Sequence, residues 1–294
     1  LLFLVYINDI FSSTEINMRL FADDACLSYQ HSDPEYLNEI INKELVKVDK
    51  WLHANKLFIN YSKTKFLLFN KTSKNCEFSV KVNGFLIEQS DSIKYLGVVL
   101  DDKLNWKKHL SSLKSKLSRS CYVLSKLRYY LDTFTLKMVY YSLFYSHIQY
   151  CISVWGSAAD CYLKPIVCMQ KRVIRYVCRV PALTTTNPLF KKTGVLKLKD
   201  VYKLQICKLM RNTITGFDVE HNRFTLASSV HSHNTRFSKK KNFITERPRT
   251  RLGLNCFRYL GPKFWSSVPE TFKNLKKDPF KFRYKNFLLN NYME

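Results

Sequence analysis

Apolar positions fall on every second residue on both sides of a short acidic stretch near the start of the chain. In "NMRLFADDACLSY", Met18, Leu20 and Ala22 alternate with Asn17, Arg19 and Phe21, and Ala25, Leu27 and Tyr29 continue the alternation. This pattern predicts a β-hairpin with Asp23 and Asp24 at its tip. "HSDPE" follows, with Ser32 and Glu35 at capping-box spacing and Pro34 in the first turn of a helix. That helix is expected to run to about Leu57, with Leu37, Ile40, Ile41, Leu45, Val48, Trp51 and Leu52 as its apolar stripe. "LFINYSKTKFLLFN" reads as a strand-like run split by a polar bend. "CEFSVKVNGFLIEQSDSIKYLGVVLDD" reads as a meander, with Asn83-Gly84 as a hairpin turn.

Beyond Lys103 the period changes to that of helices. Leu110, Leu113, Leu117, Cys121, Leu124 and Leu131 form one set, and Val139, Leu143, Ile148, Cys151, Ile152 and Trp155 a second. A third helix starts near Leu163 and carries Ile166, Val167, Val173, Ile174 and Val177. Lys171, Arg172, Arg175 and Arg179 lie on it at spacings of three and four. A fourth covers roughly Leu198 to Thr215. From His221 to Arg251, His, Ser, Thr, Asn and basic residues crowd together, with "SKKK" and "ERPRTR" read as positively charged loops. "CFRYLGPKFWSSVPETF" returns to aromatic order, and no internal repeat is present.

Charge changes the picture more than size does. The 294 residues carry 48 Lys+Arg against 23 Asp+Glu, a formal net charge of +25, which points to a polyanionic partner. With 46% hydrophobic residues the chain can bury a core, so disorder is excluded on composition. Nine Cys with no C-x-x-C and no visible signal peptide read as reduced, intracellular thiols. The run Met138–Gly156 is long enough to span a bilayer, but His147, Gln149 and its Tyr and Ser residues mark it as an aromatic core helix, so no membrane partner is expected. His231-x-His233, with His221 and Cys256 distant, lacks a second ligand pair at zinc-finger spacing and reads as solvated loop histidines.

The acid pair remains open on spacing alone. Asp is common in solvated hairpin turns. Adjacent carboxylates on a strongly basic chain also suit a Mg²⁺ site for phosphoryl transfer. Here the residues carry a resemblance. "FADD" is similar to the catalytic motif of reverse transcriptases of non-LTR (LINE-type, jockey-like) retrotransposons, and "LLFLVYINDI" resembles the segment leading into it. "INYSKTKFLLF" resembles the family's N-x-x-K-T element, with Asn60, Lys63 and Thr64. "IKYLGVVLDDKLNWKKHL" resembles its Y-L-G-x-x-L-D-x-x-L-x-W-x-x-H element. "ISVWG" and "MQKRVIRYV" resemble its thumb, with Trp155, Gly156, Gln170, Lys171, Arg172 and Arg175; "HSHNTR" and "NCFRYLGPKFWSSVPE" resemble the tail that follows.

The resemblance implies an α+β fold: the C-terminal part of a polymerase palm over residues 1–103, a helical thumb over 104–216 and a basic C-terminal extension over 217–294. It implies RNA-directed DNA polymerisation, with an RNA template, a DNA primer and deoxynucleoside triphosphates as partners and two Mg²⁺ as cofactors. Asp23 and Asp24 would hold the metal. Lys63 would lie near the nucleotide phosphates, or be a solvated loop lysine. Tyr95, Leu96 and Gly97 would grip the primer end, or pack a strand. Lys171, Arg172, Arg175 and Arg179 would contact the nucleic-acid backbone, or form a solvated face. The family's first catalytic aspartate and its fingers would lie upstream of Leu1, so these residues alone are expected to be inactive. The alternative is a non-catalytic, nucleic-acid-binding relic of such an element, and a transcript fragment with no useful fold is a third reading.

Overall fold

The structure is a computed structural model that describes residues 2–69, 78–214, 224–225, 227, 242–245 and 247–292. It is mixed α+β, and the chain divides into two compact units, Leu1–Lys103 and Leu104–Glu294.

In the first unit a short helix α1 (Leu2–Tyr6) and a 3-10 turn (Asn8–Ser13) lead into β1 (Asn17–Phe21) and β2 (Asp24–Ser28). These strands pair antiparallel, with Phe21 opposite Asp24 and Met18 opposite Leu27. The inward set of the alternation, Met18, Leu20 and Leu27, packs with Ile7 and Ile10 against Val48, Trp51 and Leu52 of α2 (Pro34–Ala54). A one-residue slip would turn those side chains to solvent, so the apolar alternation fixes the register. The expected capping box is not used. Asp33, not Ser32, is the N-cap, its carboxylate accepting from Glu35 N–H at 3.0 Å, because Pro34 takes the first helical position. The helix ends at Ala54, three residues earlier than expected.

The expected meander is instead a set of separate two-stranded ribbons. β3 (Lys65–Phe66) pairs in parallel with β6 (Glu88–Gln89), while β4 (Lys81–Val82) and β5 (Phe85–Leu86) form a hairpin. β7 (Ser92–Tyr95) and β8 (Val98–Asp101) form another. Side chains of α2 substitute for the missing ladder. Asn42 donates to Ser79 O at 2.9 Å and accepts from Lys81 N–H at 2.7 Å, and the Asn83 amide donates to the buried Asp49 carboxylate. The Asn83-Gly84 turn is as expected, with both residues in the left-handed region.

The second unit is helical. α3 (Lys107–Leu127) packs along α7 (Asp160–Cys178), burying Leu110, Leu113, Leu117, Cys121 and Leu124; Leu131, assigned to the same helix by spacing, lies beyond its end. The single helix expected over Val139–Trp155 is broken. α4 (Thr133–Tyr140) passes into a π-helical turn (Tyr141–Tyr145), then α5 (Ser146–Gln149). Cys151 at φ +49° separates α6 (Ile152–Trp155). The π turn keeps Tyr140, Phe144 and Ile148 on one buried face. α8 (Asn187–Thr193) and α9 (Leu198–Ile214) follow. α10 (Arg251–Leu254), α11 (Phe257–Ser266), α12 (Glu270–Lys273) and α13 (Lys277–Asn290) complete the unit, with α11 and α13 packed on α9. His221, His231, His233, "HSHNTR" and "SKKK" lie outside the described residues. No helix among the described residues is long and apolar enough to cross a membrane.

Candidate polymerase site

Asp23 and Asp24 stand at the tip of the β1–β2 hairpin, and both are exposed. The loop between the paired Phe21 and Asp24 is Ala22-Asp23, and Ala22 adopts φ +54°. Two-residue hairpin loops favour positive φ at the first loop position because it matches strand twist, at a cost of about 1–2 kcal/mol for a residue with a Cβ. The segment entering this hairpin is fixed by Glu44 of α2. Its buried carboxylate accepts from Thr14 Oγ1 at 2.7 Å and Glu15 N–H at 2.9 Å, and lies 2.6 Å from Lys47 Nζ. Those hydrogen bonds hold the Glu44 carboxyl down to about 2.

Tyr95 ends β7, and Leu96 and Gly97 make the turn into β8 at φ +45° and +80°. Burial pushes the Tyr95 hydroxyl above its usual range; the Cys26 thiol and the Asp24 carboxylate push in the same direction, and Arg19 opposes. The Tyr95 hydroxyl therefore feels the charge of the acid-bearing hairpin, and the two motifs share one electrostatic neighbourhood.

Lys63 is exposed on a turn that Asn60 organises. Asn60 Oδ1 accepts from Lys63 N–H at 3.2 Å and Ser62 Oγ at 2.8 Å, and its carbonyl accepts from Thr64 Oγ1 at 2.9 Å. The spacing of Asn60, Lys63 and Thr64 thus has a local cause: an Asx-type turn presents the lysine to solvent.

On α7 the basic stripe divides. Lys171 and Arg172 are exposed. Arg175 is half-buried, with Nε donating to Thr184 O at 2.8 Å. Arg179 lies past the helix end as a left-handed C-cap and donates to Leu131 O, which ties α7 to the α3–α4 turn. Other residues quoted for the resemblance are structural. Trp155 is fully buried and donates to Tyr150 O at 2.9 Å. A Cβ on Gly156 would meet the Tyr202 ring at 2.3 Å and Ile152 O at 2.5 Å. Buried Gln170 donates to Leu196 O at 2.9 Å and Tyr140 Oη at 3.1 Å, and accepts from Leu198 N–H at 2.9 Å. Trp106 and His109 are buried too, with burial lowering the proton affinity of His109 and Lys116 adding to the effect.

All the expected basic contacts lie on α7, yet α3 carries six Lys or Arg and no acid. The signal for it in the sequence is the absence of any Asp or Glu between Asp102 and Asp132.

Among the described residues no group of three or more His, Cys, Asp or Glu side chains is arranged to hold a metal ion. The hairpin pair still fits Mg²⁺ in its chemistry, since this cation takes one or two carboxylates together with water and substrate phosphate oxygens.

An exposed acid pair on a helix-backed hairpin, in a strongly basic α+β chain, is an arrangement suited to phosphoryl transfer on a polyanion. Sequence comparison bears on that class. The chain is 24% identical over 240 residues to a probable RNA-directed DNA polymerase from transposon X-element of Drosophila melanogaster, covering 79% of this chain and 26% of that protein. It is 24% identical over 190 residues to the RNA-directed DNA polymerase from mobile element jockey of Drosophila funebris, covering 63% of this chain and 20% of that one. It is 28% identical over 169 residues to a probable RNA-directed DNA polymerase from transposon BS of Drosophila melanogaster, covering 55% and 18%. The chain is thus similar to RNA-directed DNA polymerases of several Drosophila transposons and mobile elements, and it spans about a quarter or less of the length of the curated relatives it matches. No protein-family model matches it, and no solved structure matches it.

Proposed function

We propose that these residues form part of an RNA-directed DNA polymerase: the C-terminal part of the palm over 1–103, the thumb over 104–216 and a basic extension over 217–294. The observation that carries this reading is the exposed Asp23–Asp24 pair at the tip of a helix-backed hairpin in a strongly basic chain. In the reaction, a DNA 3′-hydroxyl gives up its proton to water and attacks the α-phosphorus of a deoxynucleoside triphosphate; a new P–O bond forms, the bond from the α-phosphorus to the α–β bridging oxygen breaks, and pyrophosphate leaves. Asp23 and Asp24 would hold Mg²⁺ with a third carboxylate from outside the described residues. Bound there, Mg²⁺ would offset the negative charge on the attacking 3′-oxygen and on the leaving pyrophosphate. Lys63, presented by the Asn60 turn, would pair with the nucleotide phosphates. The Tyr95–Leu96–Gly97 turn would contact the primer end. Lys171 and Arg172 would contact the template or primer backbone, and Arg175 and Arg179 would position the helix that carries them.

The test is primer extension on an RNA template with Mg²⁺. Residues 1–294 alone are expected to give no product. A polymerase with the upstream half restored is expected to extend, and Asp23→Asn in it is expected to abolish extension. Extension by residues 1–294, or survival of activity in the Asp23→Asn protein, would overturn the assignment. The second reading is a nucleic-acid-binding relic, favoured by the net charge of +25. It predicts that restoring the upstream half rescues nothing.

A further inference from the structure

We propose that the turn joining α3 to α4 is a stacking platform for unpaired bases of a single-stranded nucleic acid. The site uses neither the acid pair nor the exposed Lys171 and Arg172 as its contacts. It begins with the outer face of α3. From Lys103 to Leu131 there are eight Lys or Arg and no Asp or Glu. The inward face of α3 is filled by Leu110, Leu113, Leu117 and Leu124, so its cations face out. Lys107 and Lys108 even occupy the first turn, where positive charge is disfavoured by the helix dipole.

At the C-terminal end of α3, in the turn that follows and at the start of α4, four aromatic rings are exposed. Tyr122 is 65% exposed, Tyr129 70%, Tyr130 83% and Phe134 69%. Large rings held this open add no stability to the unit. They are interleaved with cations. Lys126 Nζ lies 5.7 Å from the Tyr122 ring centroid, and the Arg128 guanidinium lies between Tyr129 and Tyr176, 4.7 and 4.9 Å from their centroids. Arg128 Nε is buried without a hydrogen-bond partner, while its Nη2 donates to the Tyr129 hydroxyl at 2.5 Å, so the guanidinium is held by tyrosines rather than by an acid. The turn is fixed on both sides. Arg179 donates to Leu131 O from α7, and Asp132 caps α4 by accepting from Phe134 N–H at 3.1 Å and Thr135 N–H at 3.3 Å. The Thr135 hydroxyl, with the Phe134 and Thr135 N–H groups, engages the Asp132 carboxyl and holds it below the usual range.

Exposed rings beside cations on an acid-free surface match single-strand recognition, in which phosphates meet cations and bases stack on aromatic faces regardless of sequence. A duplex keeps its bases stacked internally and would gain nothing from the rings. A membrane surface would call for a continuous apolar helical face, whereas most exposed positions of α3 are Ser, Lys or Arg.

The experiment measures affinity of the 294-residue chain for a labelled 12-nucleotide oligo(dA), an abasic 12-mer of equal charge, a 12-base-pair duplex, and vesicles containing phosphatidylserine. Tyr129→Ala/Tyr130→Ala/Phe134→Ala leaves the charge unchanged. It is expected to weaken oligo(dA) binding about tenfold or more, from stacking worth ~1–3 kcal/mol per base. The abasic strand and the duplex should change less than about twofold, and the salt slope should hold. Trp at the same three positions should retain binding. Tyr130→Ala alone, at the most exposed of the rings, is expected to lose about threefold or more and stands in if the triple variant misfolds. No oligo(dA) binding by the wild type overturns the proposal. So does an alanine variant that binds oligo(dA) as well as wild type, loses the abasic strand equally, or loses only vesicle binding.

Discussion

Glu44 and Thr14, thirty residues apart, are joined by a 2.7 Å hydrogen bond that fixes the chain entering the acid-bearing hairpin to the middle of α2. Glu15 N–H and Lys47 complete the set around that buried carboxylate. Its folded-state value is about 2, below the ordinary value of 4.5. A depressed carboxyl stabilises the fold fully above its unfolded value, and the contribution is lost as pH falls from about 4.5 toward 2. Thermal unfolding measured between pH 6 and pH 3 should therefore show a falling midpoint in that acid window. Glu44→Gln should be less stable by roughly 1–3 kcal/mol near neutral pH, with a flatter acid limb. A variant with wild-type acid sensitivity would assign that sensitivity to other carboxylates.

The acid pair itself should behave in the opposite way. Asp23 and Asp24 are exposed, and no salt bridge among the described residues engages them. Asp23→Asn, Asp24→Asn and the double variant should leave unfolding within about ±0.5 kcal/mol of wild type, and EDTA should leave the midpoint unchanged. A drop of several kcal/mol in either variant would make the pair a structural feature rather than a candidate metal ligand.

Gln170 and its neighbours separate structure from chemistry within one quoted motif. Gln170→Leu would leave Leu198 N–H, Leu196 O and the Tyr140 hydroxyl without their partner in a buried setting. The expected loss is about 3 kcal/mol or more, at ~1–3 kcal/mol per orphaned group. Gly156→Ala, with its Cβ against the Tyr202 ring and Ile152 O, should cost roughly 1–3 kcal/mol from overpacking. Arg172→Ala should change stability by less than about 0.5 kcal/mol. Denaturant midpoints of the three variants check the ranking, and equal losses would refute it.

What could be read from the sequence follows the reach of each signal. The hairpin was legible because Met18, Leu20 and Leu27 must reach the same apolar patch on α2, and only one register allows it. The Asn83-Gly84 turn was legible because both residues tolerate positive φ. The capping residue was misassigned because Ser32 and Asp33 are both good caps, and Pro34 fixes which one is used only through backbone geometry. The meander failed because strands of two residues leave too few alternations to pair by pattern, and their backbone groups turn to Asn42 and to a parallel partner distant in sequence. The break at Cys151 has no local sequence cause, since apolar spacing runs through it. In the candidate site, residue types marked the acid pair and Lys63, but four basic residues at helical spacing did not reveal that two of them are bound to carbonyls.

That division sets the expected salt dependence of nucleic-acid binding. Each phosphate contact contributes about −0.9 to the log–log salt slope on duplex DNA and about −0.7 on single strands. Lys171 and Arg172 are exposed, so Lys171→Ala/Arg172→Ala should flatten the slope by about 1.4–1.8 if both reach phosphates. Arg175→Ala and Arg179→Ala should act mainly on stability, because Thr184 O and Leu131 O lose their donors. Their slopes should stay near wild type at temperatures where the chain is folded. The affinity lost in the Lys171→Ala/Arg172→Ala protein should be similar for two unrelated RNA sequences, because phosphate contacts carry no base identity. Anisotropy titrations at several salt concentrations, paired with unfolding curves, separate the two classes. An unchanged slope in the double variant would leave Lys171 and Arg172 as a solvated face and assign the electrostatic contacts to α3, whose six cations face no acid on their own helix.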